Sequence, residues 1–399
     1  MTSSATGRGV AVVCLSLITL TAAGCNREIA SHQAADPWRD FKSGWTKLPS
    51  PPVSQTDAAT VWTGSELLLW GGCPESAREC TGTRRGYEFD PSTGTWRDMP
   101  PAPREGASPT RGVWTGGDAI FLDYGAAGTR AHVTGQAFDP GSRTWRTLPP
   151  APIPAASRAK YRDGTAVWTG SELIVCGGGA PRGPGPRAGA AYDPVTNRWR
   201  RLADAPIGLN LASGVWIGDE MLVFGSLLDG RNYATTRTSI GAAYDPARDQ
   251  WRRLPPSRLS PQATSAVMAG ERVLAWDYEG RSQEFDPDTN RWGPPKPTGL
   301  DFGECYPQSA VLPGHVIGVC WQAFHYDTAT ARWHRTAHGP LGPRVRGGHL
   351  LGPASEVIAT ASAGSVAVFD LRRIEYDGGM SCSGCSRSSQ SFWAYRPQT

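Results

Sequence analysis

The chain has 399 residues and a formal net charge of only +4, with 19% of its residues charged. A balance this even argues against a dedicated nucleic-acid binder, which carries a dense basic stripe, and the aromatic and aliphatic content rules out a disordered chain. With 48 Gly, 34 Pro and 16 Trp, the composition favours one large domain of short repeated strands and tight turns.

The N-terminus has three parts. A short leading segment carries Arg8, an apolar stretch runs from Val10 to Leu20, and small residues (Thr21-Ala22-Ala23-Gly24) lead to Cys25. The apolar stretch is too short to span a bilayer comfortably and ends in a cleavage-like site, so it reads as a signal peptide. Ala22-Ala23-Gly24-Cys25 resembles the bacterial lipoprotein signal, with Ala22 where Leu is commoner. That resemblance implies lipidation of Cys25 and a protein tethered to the outer side of the cell membrane. An ordinary cleaved signal, with Cys25 there by chance, would make the protein secreted. Residues 1–25 are thus the signal, 26–42 a polar tether, and 43–399 the folded domain.

After residue 43 the chain repeats itself. An aromatic residue, usually followed by Asp-Pro, precedes a Trp by seven positions in six copies. These run from Phe89 to Trp96, Phe138 to Trp145, Tyr192 to Trp199, Tyr244 to Trp251, Phe285 to Trp292 and Tyr326 to Trp333. The Asp carboxylate accepts hydrogen bonds from amides ahead of it and Pro presets the next φ, so each copy predicts a tight turn between two strands. The Trp strand then ends in a Pro-rich segment such as Leu148-Pro149-Pro150, since Pro withholds a ladder donor.

A second hairpin lies upstream in each unit. Thr60–Trp62 and Leu67–Trp70 flank one such turn, and further copies centre on Gly116, Gly170, Gly218, Gly270 and Gly314. A seventh, degenerate copy is expected over residues 347–361. Two hairpins make a four-stranded sheet that cannot bury both faces alone, so the units must stack around an axis.

This pattern resembles the kelch-repeat β-propellers, the group that includes galactose-oxidase-like proteins. The fold expected is all-β: a seven-bladed kelch-like propeller with four-stranded antiparallel blades. The Gly-Gly doublet of that family survives only at Gly71-Gly72 and Gly177-Gly178. Trp45 with Leu48-Pro49 looks like an outer strand without its own blade, so the N-terminus is expected to complete the last sheet. Phe392 to Pro397 would then supply that sheet's third strand. The alternative is an outer strand at Tyr376, seven residues after Phe369.

Export permits disulfides. Three local pairs are expected: Cys73 with Cys80, Cys305 with Cys320, and Cys382 with Cys385. Cys176 is left over and expected to be buried. Redox activity or metal binding at Cys382 and Cys385 is the lesser alternative.

Function is sought in the loops joining strands two and three, which are long in the first four units and very short in the rest. They carry Arg84, Arg85, Arg130, Arg182, Arg187, Arg231 and Arg237, while Arg111 and Arg346 lie near the starts of inner strands. Converging arginines suit a carboxylate, sulfate or phosphate; solvated loop charge is the alternative. Trp62, Trp114, Trp168 and Trp216 are expected to pack between blades at the opposite end.

His315, His325, His334 and His338 cluster in the sixth unit. His334 and His338 lie on a strand running into a loop and need not share a face, so no metal is assigned. No catalytic set or cofactor fingerprint stands out. The expected function is a non-catalytic binding or scaffolding module for a glycan, peptide or protein, with an anionic glycan or cell-envelope protein as partner. The alternative is a carbohydrate-active enzyme, oxidase- or epimerase-like, drawing on loop acids such as Glu75, Glu79 or Asp229.

Overall fold

The computed structural model describes residue 38 and residues 41–56, 58–74, 82–106, 110–123, 132–153, 164–177, 186–208, 210–226, 239–260, 265–277, 279–300, 308–319, 323–336, 366–376 and 386–397. Its contacts separate residues 1–35 from a unit beginning at Asp36.

That second unit is a seven-bladed β-propeller of antiparallel sheets. Blade one is Ala59–Trp62, Leu67–Trp70, Gly86–Asp90 and Thr95–Asp98, from the axis outwards. Blade two is Thr110–Trp114, Ala119–Asp123, Thr134–Asp139 and Thr144–Leu148. Blade three is Gly164–Trp168, Leu173–Gly177, Gly189–Asp193 and Arg198–Arg201, and blade four is Asn210–Trp216, Met221–Ser226, Ile240–Asp245 and Gln250–Arg253. Blade five is Ser265–Ala269, Arg272–Trp276 and Arg281–Asp286, its outer edge split between Arg291–Trp292 and Lys296–Pro297. Blade six is Gln308–Leu312, His315–Val319, Ala323–Asp327 and Arg332–Arg335.

Blade seven closes the ring with both ends of the chain. Ala367–Tyr376 pairs with Ser386–Arg396, which pairs in turn with Gly44–Lys47. Trp45 stands opposite Tyr395, as Trp96 stands opposite Phe89 in blade one. The N-terminal strand is therefore the outer strand of the last sheet. Phe369 and Tyr376 lie on one continuous strand, so their seven-residue offset marks no turn. The inner hairpin expected over residues 347–361 lies outside the described residues, and the described part of blade seven begins with the strand Ala367–Tyr376.

Strand alternation explains why the blades need each other. In Leu67–Trp70 every residue is buried. Leu67 and Leu69 face blade seven, packing with Val368, Phe392 and Ala394, while Leu68 and Trp70 face blade two, packing with Phe121 and Phe138. The same division recurs at every seam, and each of the seven seams holds its own apolar cluster. Near the axis the inner strands approach closely. A Cβ on Gly214 would come within 2.3 Å of the Thr165 hydroxyl of the preceding blade, so only glycine fits there.

The seven-residue spacing acquires a physical meaning here. The residue five after each aromatic takes a left-handed conformation: Gly94 (φ 67°), Arg143 (56°), Asn197 (54°), Asp249 (51°), Asn290 (53°) and Ala331 (53°). With the Asp carboxylate accepting the amide two or three residues on, this brings Trp opposite the aromatic. The Trp ring then stacks against that aromatic at about 5 Å between centroids, as for Tyr192 and Trp199 (5.0 Å).

Each Trp also clasps the preceding blade. Indole N–H groups donate from Trp96 to the Pro49 carbonyl, Trp145 to Pro100, Trp199 to Pro149, Trp251 to Ala203 and Trp292 to Pro255, all at 2.8–2.9 Å. Trp333 reaches the Ser282 hydroxyl at 3.1 Å and Trp45 the Thr336 hydroxyl at 3.0 Å. The sequence shows the Trp repeat; the ring of seven interblade bonds emerges only in three dimensions.

Replacing Trp251 with Phe keeps a ring against Tyr244 but strips the N–H that meets the Ala203 carbonyl. Urea unfolding of Trp251→Phe is expected to show a loss of about 1–2 kcal/mol, and unchanged stability would mean that the clasp contributes nothing.

Candidate functional site

The loop arginines are partly in view. Arg84 and Arg187 occupy equivalent places, two residues before Gly86 and Gly189 at the starts of third strands. In each the Nε–H donates to a carbonyl eighteen residues on, Ala102 for Arg84 and Ala205 for Arg187, while the residue remains exposed. Arg85 is exposed beside Arg84, and its own carbonyl accepts from the Gln55 amide at 3.3 Å. Arg111 is half-buried at the start of the inner strand of blade two. These four lie at the loop end of the ring, away from the Asp turns. Arg130, Arg182, Arg231, Arg237 and Arg346 lie outside the described residues, as do Cys25, Cys80, Cys305, Cys320, Cys382 and Cys385.

Cys73 opens a two-residue strand, Cys73–Pro74, paired with Gln55–Thr56. Cys176 is a free thiol packed with Ile174, Leu202 and Val223, and burial pushes its pKa up to about 12. It is a core residue without thiolate character at neutral pH.

At the other end, Trp62, Trp114, Trp168 and Trp216 pack into the seams, as expected. Between the turns there run two open grooves. One, of about 800 Å³, has Trp168, Asp118, Asp139, Glu172 and Asp193 along it; the next, of about 560 Å³, has Trp216, Glu220 and Asp245. Both are acidic.

The acids there belong to a repeated cross-strand row. The residue preceding the second-strand run is Glu66, Asp118, Glu172 or Glu220 in blades one to four. The residue after the outer-strand Trp is Arg97, Arg146, Arg200 or Arg252. Each acid pairs with the arginine of its own blade, for instance Glu172 with Arg200 at 2.6 Å and Glu220 with Arg252 at 2.5 Å. Three of these arginines continue into the next blade: Arg146 donates to the Tyr192 hydroxyl, Arg200 to the Tyr244 hydroxyl at 3.1 Å, and Arg252 to the Asn290 carbonyl oxygen at 2.8 Å. In blade one, the buried Glu88 joins the row, accepting from Arg97 and from Arg143 of blade two, both at 2.6 Å. Burial raises the Glu88 pKa against the pull of those two arginines.

Blade six breaks the pattern. The three row positions there are His315, His325 and His334. His325 stands directly across the ladder from His334, and His315 from Asp327. The His325 Nε2 and His315 Nδ1 atoms are 2.7 Å apart, and the His325 and His334 ring centroids 5.8 Å. Burial, then the neighbouring His315 and His334, pushes the His325 pKa down to about 4. Of the sequence candidates, His315, His325 and His334 are thus brought together, while His338 lies outside the described residues. The strand register, not spacing along one strand, brings these three together.

No family model matches the chain, and no curated protein matches it. Among solved structures it is similar to the structure of YjhT, with 12% identity over 73% of this chain and 99% of that one and a TM-score of 0.47. No ligand or activity passes from that likeness to this chain.

The low pKa of His325 has a definite consequence for stability. The unfolded chain takes up this proton near pH 6.5, the folded protein only near pH 4. Stability from this group is therefore whole above pH 6.5, falls as the pH drops towards 4, and levels off below. Turn carboxylates such as Asp193, held low by the Thr196 hydroxyl and the Val195 amide, lose their contribution only below about 3.8. In metal-free buffer, melting curves should decline between pH 6.5 and 4 for the wild type and be flatter there for His325→Asn.

Proposed function

We propose that this protein is a lipid-anchored, extracytoplasmic binding or scaffolding propeller whose loop end takes an anionic glycan or a carboxylated or phosphorylated cell-envelope partner. The observation that carries this reading is the state of Arg84 and Arg187. Both are exposed at the same end of a rigid ring, and each is fixed through its Nε to a backbone carbonyl. Fixing the stem reduces the rotamer entropy lost on binding and leaves the Nη end of the fork towards solvent. Arg111 adds a third cation at that end.

The anchor rests on the Ala22-Ala23-Gly24-Cys25 motif. Trp38 is fully buried, 5.4 Å from Trp62 between ring centroids, and its carbonyl accepts from Arg396 at 2.6 Å. Trp62 closes its strand at the turn end. The chain is therefore held at the turn end at Trp38, thirteen residues after Cys25. In an oxidising compartment the Cys73–Cys80, Cys305–Cys320 and Cys382–Cys385 pairs would brace the loops.

Two measurements test the reading. Cells grown with labelled palmitate should label the wild type and not Cys25→Ala; equal labelling of both would remove the anchor. Binding of the purified domain to acidic cell-wall polysaccharide should weaken about tenfold in the Arg84→Ala, Arg187→Ala double variant, corresponding to about 1.4 kcal/mol, and weaken further with salt. Binding that is indifferent to both the substitutions and salt would refute an anionic ligand at this end.

A further inference from the structure

The geometry points to a divalent transition-metal site in blade six, with Zn²⁺ as its reference ion, held by His315 Nδ1, His325 Nε2 and the Asp327 carboxylate. One ring nitrogen from each histidine and a carboxylate oxygen of Asp327 lie within 4.8 Å of one another, His325 Nε2 and His315 Nδ1 being 2.7 Å apart, and all three residues are half-buried. Two imidazoles and a carboxylate are a zinc donor set, and a fourth position left to solvent completes a tetrahedron.

Three observations support it. The first is position. His315 opens the second strand just after the Pro313-Gly314 turn, and Asp327 closes the third strand directly opposite. Antiparallel pairing therefore fixes the backbone of both ligands, with His325 two residues before Asp327 on the same face of its strand. The second is the carboxylate. The Thr330 amide and hydroxyl both bond to Asp327 Oδ1, at 2.7 and 2.9 Å, so Oδ2 is engaged by neither. The turn thus orients the group while leaving one oxygen for a ligand.

The third is substitution within the repeat. Blades one to four fill this row with an acid and an arginine that neutralise each other. Blade six puts imidazole at all three positions, which removes the internal cation and leaves a set of nitrogen donors beside a carboxylate. The two ring nitrogens now share one hydrogen bond at 2.7 Å. An ion bound at ~2.0–2.1 Å would spread them to roughly 3.3 Å, a few tenths of an ångström of movement at each partly exposed ring. His334 is not among the ligands; it stands across the ladder from His325, their ring centroids 5.8 Å apart.

The test uses the untagged mature protein, under non-reducing conditions, titrated with Zn²⁺ against a chromophoric chelator. One ion per chain is expected, with at least tenfold weaker binding in His315→Gln and in His325→Gln. A wild type that binds no Zn²⁺ at ~100 µM free ion, or affinities unchanged in both variants, overturns the site. Zinc-edge X-ray absorption on the wild type is independent of how the variants fold. Two imidazole scatterers with oxygen at ~2.0–2.2 Å are expected, and a sulfur shell would place the ion at cysteines and refute the assignment.

Discussion

The indole clasp is the interaction on which the ring depends. A Trp at the edge of each sheet stacks on its own blade's aromatic and hands its N–H to the blade before it. The stacked ring buries apolar area within one sheet, and the polar handle joins that sheet to the next. Because the bond runs in the same direction at all seven seams, from Trp96 to Pro49 round to Trp45 and Thr336, no seam is left without it. The left-handed residue in each turn sets the Trp opposite the aromatic, and so decides whether the clasp can form.

Around this frame the cross-strand rows do a second job. In blades one to four an acid and an arginine neutralise each other within a blade, and Arg146, Arg200 and Arg252 continue into the next. Such partly exposed pairs contribute little individually to stability, on the order of 1 kcal/mol or less, yet they fix the orientation of one sheet's edge against its neighbour. Where the row changes composition, as in blade six, the backbone is kept and the chemistry is released. The fold can thus vary this row without disturbing the seams, because the apolar clusters hold them together independently.

The fold was legible in the sequence because its cause is local and repeated. The aromatic-to-Trp spacing encodes a turn, and six copies of one turn leave few architectures open. The N-terminal closing strand was legible for the same reason: Trp45, followed by Leu48-Pro49, has the surroundings of an outer strand but no inner hairpin before it. Blade seven lacks the Asp turn: Tyr395 is followed by Arg396-Pro397, and the chance offset between Phe369 and Tyr376 on one strand imitated the signal. The histidine row was missed although the register contained it. Once Tyr326 and Trp333 are paired, their neighbours His325 and His334 must face each other, whereas spacing along one strand says nothing about partners across the sheet. Arg84 and Arg187 were found as charges, but the carbonyls that fix them lie eighteen residues on and carry no sequence mark.

The closing strand joins residues at opposite ends of the polypeptide: Gly44 pairs with Arg396. A chain is synthesised from its N-terminus, so the segment around Trp45 is made first and its mate last. Until then Gly44–Lys47 is an unpaired edge with an exposed indole, and six blades can assemble while the circle stays open. Contacts of such long sequence separation are slow to form, and unpaired edges are where chains stick to one another.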